Sequence, residues 1–544
     1  MTLFMEPERV GTIIGVGAMG SEGAPWIGMA PFVGEEHLVQ NLGDGTLAHS
    51  GWLAIRAAVA AQVNITYKIL FNGAVAMTGG QDAVGAMDVP HLASALVAEG
   101  ASRVLITTDE PHRYRQVDLP AGVAVWGRSR LREAQTVLAG VPGCTVLIHD
   151  QRCAAEKRRD RKRGAAERPR FRVVINERVC EGCGDCADRS NCLSVQPVQT
   201  PYGRKTAIDQ HSCNHDLTCM EGDCPAFATV TVAAGGPPRQ AVAQPPSHLP
   251  TPPVADADQV TIRLSGIGGT GVVTVSQVLG TAAMLDGLTV RGLDQTGLSQ
   301  KAGPVVSDLV VSRQDPSPSN RASAGSVDVL VAFDQLVAGS DRQIGAANAR
   351  RTVLVANRAE TPTGSMVTNP SLAYPATVTE RLTAATRAQH FVDAGRLVRG
   401  LLGDDTMVNV FLTGVAAQLG LLPMTTAAIE RAIALNGVAV ETNLAALRWG
   451  RAYAVDPDGA TQAAGVTVAD RQPETTTQLI DRLAADLIGF QSARTAAAVP
   501  AHAGPGDRPR PRSADRLRGQ IPAPAHGVQG RVRGGQAAAP ARSP

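Results

Sequence analysis

The 544-residue sequence has few aromatic side chains, 3%, and a formal charge of only +2. A balance so near neutrality gives no bulk electrostatic reason to expect a polyanionic partner such as nucleic acid. No run of about 18 apolar residues occurs, so no membrane-spanning helix is expected. The opening MTLFMEPERVG lacks the basic stretch and apolar core of an export signal, and the expected location is the cytoplasm. Cysteine is scarce outside one window: of nine, seven lie between Cys180 and Cys224. In a chain without an export signal, that crowding favours metal or cluster ligation over disulfides. The sequence is 44% hydrophobic, ample for several cores, and its length suggests about two to four domains.

The most informative stretch runs from Asn41 to Gln81. Two short loops punctuate it, Gly43-Asp44-Gly45 and the segment from Asn72 to Thr78-Gly79-Gly80-Gln81. Between them an apolar helical run, Trp52 to Ala61, follows Ser50 as its expected N-cap. A β-rich run then covers Ile65 to Phe71. If Leu42 and Phe71 end neighbouring parallel strands, both loops leave the edge where α/β sheets bind ligands. Asp44 offers a carboxylate, Asn72 an amide oxygen and Ala74 a backbone carbonyl, a set of hard oxygen ligands suited to Mg²⁺. Gly43 and Gly45 let the backbone approach phosphates closely. GDG, 26 residues and then Asn resembles the diphosphate-binding motif of thiamine diphosphate enzymes. The competing reading is two ordinary glycine turns. His49 follows closely enough to face the cofactor, for proton transfer or to bind a substrate carboxylate. It is equally placed to bond the loop backbone at a helix start.

Residues 1–155 read as one α/β domain with a parallel, doubly wound sheet. Further strands are expected at Thr12–Val16, Arg103–Thr107 and Thr145–His149, and helices at His91–Glu99 and Ser129–Leu138. Gly17 to Gly23 is a glycine-rich loop. Residues 156–170, EKRRDRKRGAAERPR, form a basic, Pro-ended segment. It reads as a solvated linker, or as a docking patch for an acidic partner such as ferredoxin. No aromatic residues interleave its charges, which argues against nucleic acid.

The cysteines of residues 171–232 follow the pattern Cys180-x2-Cys183-x2-Cys186-x5-Cys192, then Cys213-x5-Cys219-x4-Cys224-Pro225. Three thiolates on one tight loop plus a remote Cys-Pro is the arrangement that closes a [4Fe-4S] cubane, here with Cys180, Cys183, Cys186 and Cys224. A structural zinc would use four of the seven and leave three idle. Cys192, Cys213 and Cys219 are one thiolate short of a second cluster: its fourth ligand is not a cysteine, or that cluster does not exist. Cys144 begins an apolar strand and reads as a buried hydrophobe. Residues 233–258, rich in Pro, Ala and Gly, read as a linker.

A second α/β domain is expected over 259–494. Strand Val260–Leu264 enters Gly266-Ile267-Gly268-Gly269-Thr270-Gly271 and then helix Val272–Leu285, a Rossmann-like layout with no well-placed acid after it. Strands are expected at Val327–Phe333 and Thr352–Ala356. Helices are expected at Val378–Ala388, Val408–Leu419, Thr426–Leu435 and Val440–Trp449. Residues 495–544 are Pro, Ala, Arg and Gly with almost no large apolar side chains, and read as a disordered tail.

GDGT, HSG, NITYKILFN and AVAMTGGQ, with CEGCGDC, SNCLSV and the later CP, resemble the indolepyruvate:ferredoxin oxidoreductases, a branch of the 2-oxoacid:ferredoxin oxidoreductases. GLDQTGLSQKAGPVVS, residues 292–307, resembles the gamma domain of the same enzymes. The resemblance departs at Gly73, where the family usually has Asp. It implies thiamine diphosphate, Mg²⁺ and one or two [4Fe-4S] clusters. It also implies a gamma domain beside the cofactor module that helps form the substrate and coenzyme A side of the site. The implied reaction is oxidative decarboxylation of indolepyruvate or another aryl 2-oxoacid to the acyl-CoA, with ferredoxin as acceptor. The family's pyrimidine module, which supplies a glutamate to the aminopyrimidine ring, lies upstream in fused members and is expected here from a partner subunit in an oligomer or from a longer polypeptide. A different 2-oxoacid specificity and a non-catalytic electron-transfer fragment are the alternatives.

Overall fold

The computed structural model describes residues 17–75, 81–167, 169–200, 202–210, 212–232, 243–296, 303–314, 319–363, 366–367, 372, 374–403, 405–466, 475–490 and 492–494. The expected strand Thr12–Val16 and the tail 495–544 lie outside them.

Five strands build the first sheet: β1 Leu38–Gly43, β2 Ile65–Phe71, β3 Arg103–Thr108, β4 Ala124–Gly127 and β5 Cys144–Asp150. Their order is β1-β2-β5-β3-β4 and every pairing is parallel. Period-2 alternation sends β5 side chains to two cores. Val146 and Ile148 pack with Ile55, Tyr67 and Leu96 on one face, while Leu147 packs with Leu105, Ala134 and Leu138 on the other. Helices Trp52–Ala60 and Val89–Glu99 cover the first face and Leu131–Ala139 the second, so the sheet is doubly wound as expected. Asp88 caps the second of these helices by accepting from the His91 N–H at 2.9 Å, and Gly100 closes it in the left-handed region.

One correction falls at the first loop. Ser50 is not an N-cap. Helical backbone starts at Asp44, directly after β1, and passes through a five-residue π turn, Leu47–Gly51, before helix Trp52–Ala60. Asp44 in the first turn puts negative charge where the helix dipole favours it, so the start needs no serine. Ser50 Oγ instead pairs with His49 Nδ1 at 3.0 Å.

The basic segment expected as a linker is largely helical, Ala154–Arg163, closed by Gly164. Several of its charges are engaged: Lys157 Nζ lies 2.8 Å from Asp109 Oδ2, Arg159 pairs with Glu156, and Asp160 pairs with Arg152 at 2.8 Å.

The cysteine-rich region carries β6 Phe171–Ile175, β7 Val195–Thr200, β8 Gly203–Ile208 and β9 Phe227–Thr231. Here β6 pairs with β9 and β7 with β8, two small ribbons, one nested inside the other in sequence, as expected for a ferredoxin-like unit.

The second large sheet holds β10 Gln259–Ile267, β11 Thr289–Thr296, β12 Pro304–Ser312, β13 Val329–Ala332, β14 Val353–Asn357 and β15 Ala388–Val392. Its order is β11-β12-β10-β13-β14-β15. The β10–β13–β14–β15 half is parallel, whereas β12 runs antiparallel to both β10 and β11. The expected helix to Ala388 stops at Ala385, where Thr386 turns extended and its hydroxyl donates to the Leu382 carbonyl at 2.7 Å; Ala388 then opens β15. The helix expected to end at Trp449 continues to Val455. Gly450 does not stop it because it lies where the helix crosses Val408–Gln418: a Cβ there would strike the Phe411 carbonyl. Residues 243–258, expected as a linker, are pinned to this domain. Ala243 N–H donates to Leu401 O, Ala255 N–H to Leu422 O, and Trp449 Nε1–H to Ala243 O.

Residues 199–203 and the described residues beyond 468 form a separate unit, in which helix Thr476–Phe490 places Arg482 over the Tyr202 ring at 5.4 Å. No helix among the described residues is long and apolar enough to cross a membrane.

Candidate functional site

Parallel register sets Gly43 beside Leu70, so the loops after β1 and β2 leave the same edge. Asp44, 5% exposed, laces them together. Its Oδ1 accepts from the Gly45 N–H at 2.9 Å, and its Oδ2 from the Asn72 N–H at 3.0 Å and the Gly73 N–H at 2.7 Å. Asn72 Oδ1 accepts from the Ala74 N–H at 2.9 Å. A carboxylate has about four acceptor directions, so three amide bonds leave one for a cation. Above the loops there is room: a Cβ on Gly43 or Gly73 would meet no atom within 4 Å. This oxygen-donor set and open cradle fit Mg²⁺ and a diphosphate. Thr78, Gly79 and Gly80 lie outside the described residues; Gln81 bridges back to the second loop, its carbonyl accepting from the Val75 N–H at 2.7 Å. His49 stands exposed on the π turn beside the first loop.

The same edge continues across β5 and β3 with residues that motif spacing did not reveal. Asp150, 8% exposed, pairs with Phe71 across the sheet and accepts from the Tyr114 hydroxyl at 2.6 Å. Burial, then Asp150, pushes the Tyr114 phenol far above its usual range. Asp109 accepts from Gln151 Nε2 at 2.9 Å and Lys157 Nζ at 2.8 Å. Burial pushes its carboxyl up, but Lys157 and Gln151 outweigh that and hold it below the usual value. His149 shares a 2.9 Å hydrogen bond with Thr107 Oγ1, and burial, Arg128 and Lys68 lower its pKa. The signal that could have found Asp150 is its place one residue after a buried apolar run, CTVLIH.

All nine cysteines are free thiols. Burial pushes Cys186 up to about 11, and Cys180, Cys183 and Cys224 add to it, so these four share one neighbourhood. Burial also pushes Cys219 up to about 11, with Cys192 and Cys213 contributing first among the thiols. Among the described residues no three His, Cys, Asp or Glu side chains converge closely enough to hold a single ion. Seven free thiols in two sequence-separated groups are donors of the kind an iron–sulfur cluster takes. The Cys213–Cys219 loop is fastened to the first domain. Arg128, just after β4, donates to both Asp216 oxygens at 2.7 and 3.0 Å and to Thr218 Oγ1 at 2.6 Å. Arg161 donates to the Asn214 carbonyl at 2.8 Å. Arg204 of β8 donates to the Met366 carbonyl of the second α/β domain at 2.6 Å. Cys144 is buried in β5, as expected.

In the second α/β domain, the Gly266–Gly271 loop turns inward on its own contacts. Thr270 Oγ1 donates to the Ile267 carbonyl at 2.7 Å, and Gly268 N–H to Gly303 O at 2.8 Å.

The family described as pyruvate ferredoxin/flavodoxin oxidoreductase matches residues 261–453. The chain is similar to indolepyruvate oxidoreductase subunit IorA of Pyrococcus abyssi, 26% identical over 33% of this chain and 26% of that protein. Subunit IorA of Thermococcus kodakarensis is 26% identical over 32% of this chain and 25% of its own length. The chain thus spans about a quarter of the length of the curated relatives it matches. Among solved structures, the pyruvate oxidoreductase subunit PORC of Thermotoga maritima is 19% identical, with a TM-score of 0.27, over 36% of this chain and 97% of that one. Residues 261–453 thus match the pyruvate ferredoxin/flavodoxin oxidoreductase family, and the chain is similar in part to indolepyruvate oxidoreductase IorA subunits.

Proposed function

We propose that this chain is the diphosphate-binding and electron-transfer part of a thiamine diphosphate-dependent 2-oxoacid:ferredoxin oxidoreductase. The observation that carries the reading is the Asp44 carboxylate bridging the amides of Asn72 and Gly73 at a parallel-sheet edge. Asp44, Asn72 and the Ala74 carbonyl hold Mg²⁺, and Gly43 and Gly45 let the diphosphate approach. Thr78, Gly79, Gly80 and Gln81 are the remaining cofactor-binding candidates of the motif. Bound thiamine diphosphate supplies carbanion chemistry at the 2-oxo carbon. His49 stands on the turn after the first loop, available to move a proton or to hold the substrate carboxylate.

Cys180, Cys183, Cys186 and Cys224 hold a [4Fe-4S] cluster, and Cys192, Cys213 and Cys219 a second centre. Loaded, these centres would supply one-electron transfer towards a ferredoxin in the cytoplasm. A domain matching the oxidoreductase family alongside seven grouped free thiols supports redox over non-oxidative thiamine chemistry. The substrate is indolepyruvate or a similar aryl 2-oxoacid, and coenzyme A takes the acyl group beside the 259–466 domain. A pyrimidine module from a partner subunit or a further segment completes the oligomeric enzyme.

The test is an anaerobic preparation assayed for iron, for Mg²⁺-dependent thiamine diphosphate binding by calorimetry, and for viologen reduction with indolepyruvate and coenzyme A, with and without a pyrimidine-module protein. Iron, metal-dependent binding and turnover only with the added module are expected. Asp44→Asn should weaken binding by roughly 100-fold while iron content stays unchanged. Iron without thiamine diphosphate binding or turnover would leave an electron-transfer protein. Zinc in place of iron would sink the redox reading.

A further inference from the structure

The loop that joins Cys213 to Cys219 is held in a crowded shape. His215 and Leu217 both stand in the left-handed region, at φ 55° and 66°, where side chains other than glycine are rarely found. Such residues persist only where their surroundings over-determine them. Bonds from outside the cysteine-rich region alternate with these two. Arg161 donates to the Asn214 carbonyl, just before His215. Arg128 donates to both oxygens of Asp216, between His215 and Leu217, and to Thr218 Oγ1, just after them.

Arg161 is also tied to the diphosphate edge. It follows Lys157 by one turn on helix Ala154–Arg163, so the two share a face. Lys157 Nζ reaches Asp109 Oδ2 at 2.8 Å, and the same oxygen accepts from Gln151 Nε2 at 2.9 Å. The Gln151 N–H donates to the Phe71 carbonyl at 3.0 Å, and the next residue is Asn72, whose N–H is held by Asp44. One run of bonded groups thus leads from the Asp44–Asn72 cradle to the residue after Cys213. A lone exposed ion pair would add little, but a guanidinium bonded to both oxygens of a carboxylate fixes geometry as well as charge.

We propose that Arg128, Lys157 and Arg161 are positioning residues, which hold the Cys213–Cys219 loop in its crowded shape and in fixed register with the diphosphate edge. The basic helix is thus an internal strut. This deepens the electron-transfer reading above, on which it rests, because the rate at which an electron crosses between two sites falls steeply with their separation. Each of the three residues acts through the loop or the edge that it holds.

The experiment is hydrogen–deuterium exchange of the full chain, prepared anaerobically, with Arg128→Met, Arg161→Met and Lys157→Met beside the unaltered protein. The reporting amides are those of Cys213, Met220 and Glu221, which donate to the carbonyls of Asp209, Leu217 and Thr218. The two arginine variants should speed their exchange by roughly tenfold, as loss of a hydrogen bond to a charged group implies, and leave the β5 amides of Val146 and Ile148 unchanged. Lys157→Met should speed the same amides and that of Gln151, and Lys157→Arg should restore both. A second readout fills the diphosphate site with Mn²⁺ and thiamine diphosphate. The manganese should quicken the EPR relaxation of the reduced iron centre, and each Met variant should weaken that effect. Unchanged exchange at the reporting amides, equal acceleration throughout β5, or a manganese effect that no variant alters would overturn the proposal. Iron absent altogether, with the reporting amides still quickened, would fail the electron-transfer reading and leave the strut standing.

Discussion

In the first α/β domain the loop after β1 carries a carboxylate, and its oxygens tie that loop to the next one. In the second, the loop after β10 carries only glycine, isoleucine and threonine, and the buried carboxylate sits inside the sheet instead. Asp308 of β12 lies opposite Arg263 of β10 and takes its guanidinium on both oxygens at 2.7 and 2.8 Å. Both side chains are almost wholly buried, at 0% and 5% exposure. Each loop offers the same strand–glycine–helix layout, so the layout by itself does not mark a site. The difference lies in where the acid stands: at the open edge with an acceptor direction to spare, or within the sheet with every oxygen satisfied.

The sharpest way to break this comparison is to remove the second acid. Asp308→Leu strands the Arg263 charge in the core and also takes away the acceptor of the Ala322 N–H, now 2.9 Å away. Losing one partner of a buried pair costs about 3–5 kcal/mol, whereas replacing both by apolar residues of similar size is often near neutral. Chemical denaturation should therefore show a large loss for Asp308→Leu and recovery of most of it in Arg263→Met/Asp308→Leu. A mild effect in the single variant would mean that the pair is not structural, and the contrast with Asp44 would fall.

A smaller effect separates the glycines. Gly271 has φ +76°, and a Cβ there would strike the Asn409 amide, which itself donates to the Gly271 carbonyl at 3.3 Å. Gly43 has φ −77°, ordinary extended backbone, with open space around it. Gly271→Ala should cost about 1–3 kcal/mol of stability. Gly43→Ala should stay within about 0.5 kcal/mol and reveal itself only as weaker thiamine diphosphate binding. Equal destabilisation by the two, measured by thermal melting, would show that both loops are held by packing alone.

Much of this was legible in the sequence because it depends on local spacing. GDG with its distant Asn, the Cys-x2-Cys-x2-Cys run, and the strands ending at Phe71 and beginning near Val260 are short-range patterns. What escaped depends on register between distant segments. Arg263 and Asp308 read as polar interruptions of two apolar runs until antiparallel pairing sets them side by side. Likewise β11 and β12 were hidden because an antiparallel pair added at the edge of an otherwise parallel sheet leaves no trace in strand–helix alternation. The early helix start at Asp44 escaped because a π turn disguises the 3.6-residue period between Asp44 and Trp52. The Arg128–Asp216 clamp spans 88 residues and no local pattern announces it.

The smallest effect concerns one histidine in each sheet. His149 of β5 and His390 of β15 both have pKa values lowered from 6.5 by burial, but only His149 also faces Arg128 and Lys68. A base whose folded pKa lies below its unfolded value takes up protons more readily when the chain unfolds. Its contribution is therefore intact above about pH 6.5 and is lost as the pH falls towards the folded pKa, by at most about 1.4 kcal/mol per pH unit. Denaturation at pH 7.5 and 5.5 should show the protein weaker at the lower pH. His149→Gln should flatten that difference more than His390→Gln, because Arg128 and Lys68 oppose protonation at β5 in addition to burial, and Asp109 and Asp150, each a smaller influence, offset them only in part. If the His149 variant keeps the full acid sensitivity of the unaltered chain, the edge of the first sheet does not hold this ring neutral. The pH dependence would then belong to groups elsewhere, and the first sheet would be no more electrostatically tuned than the second.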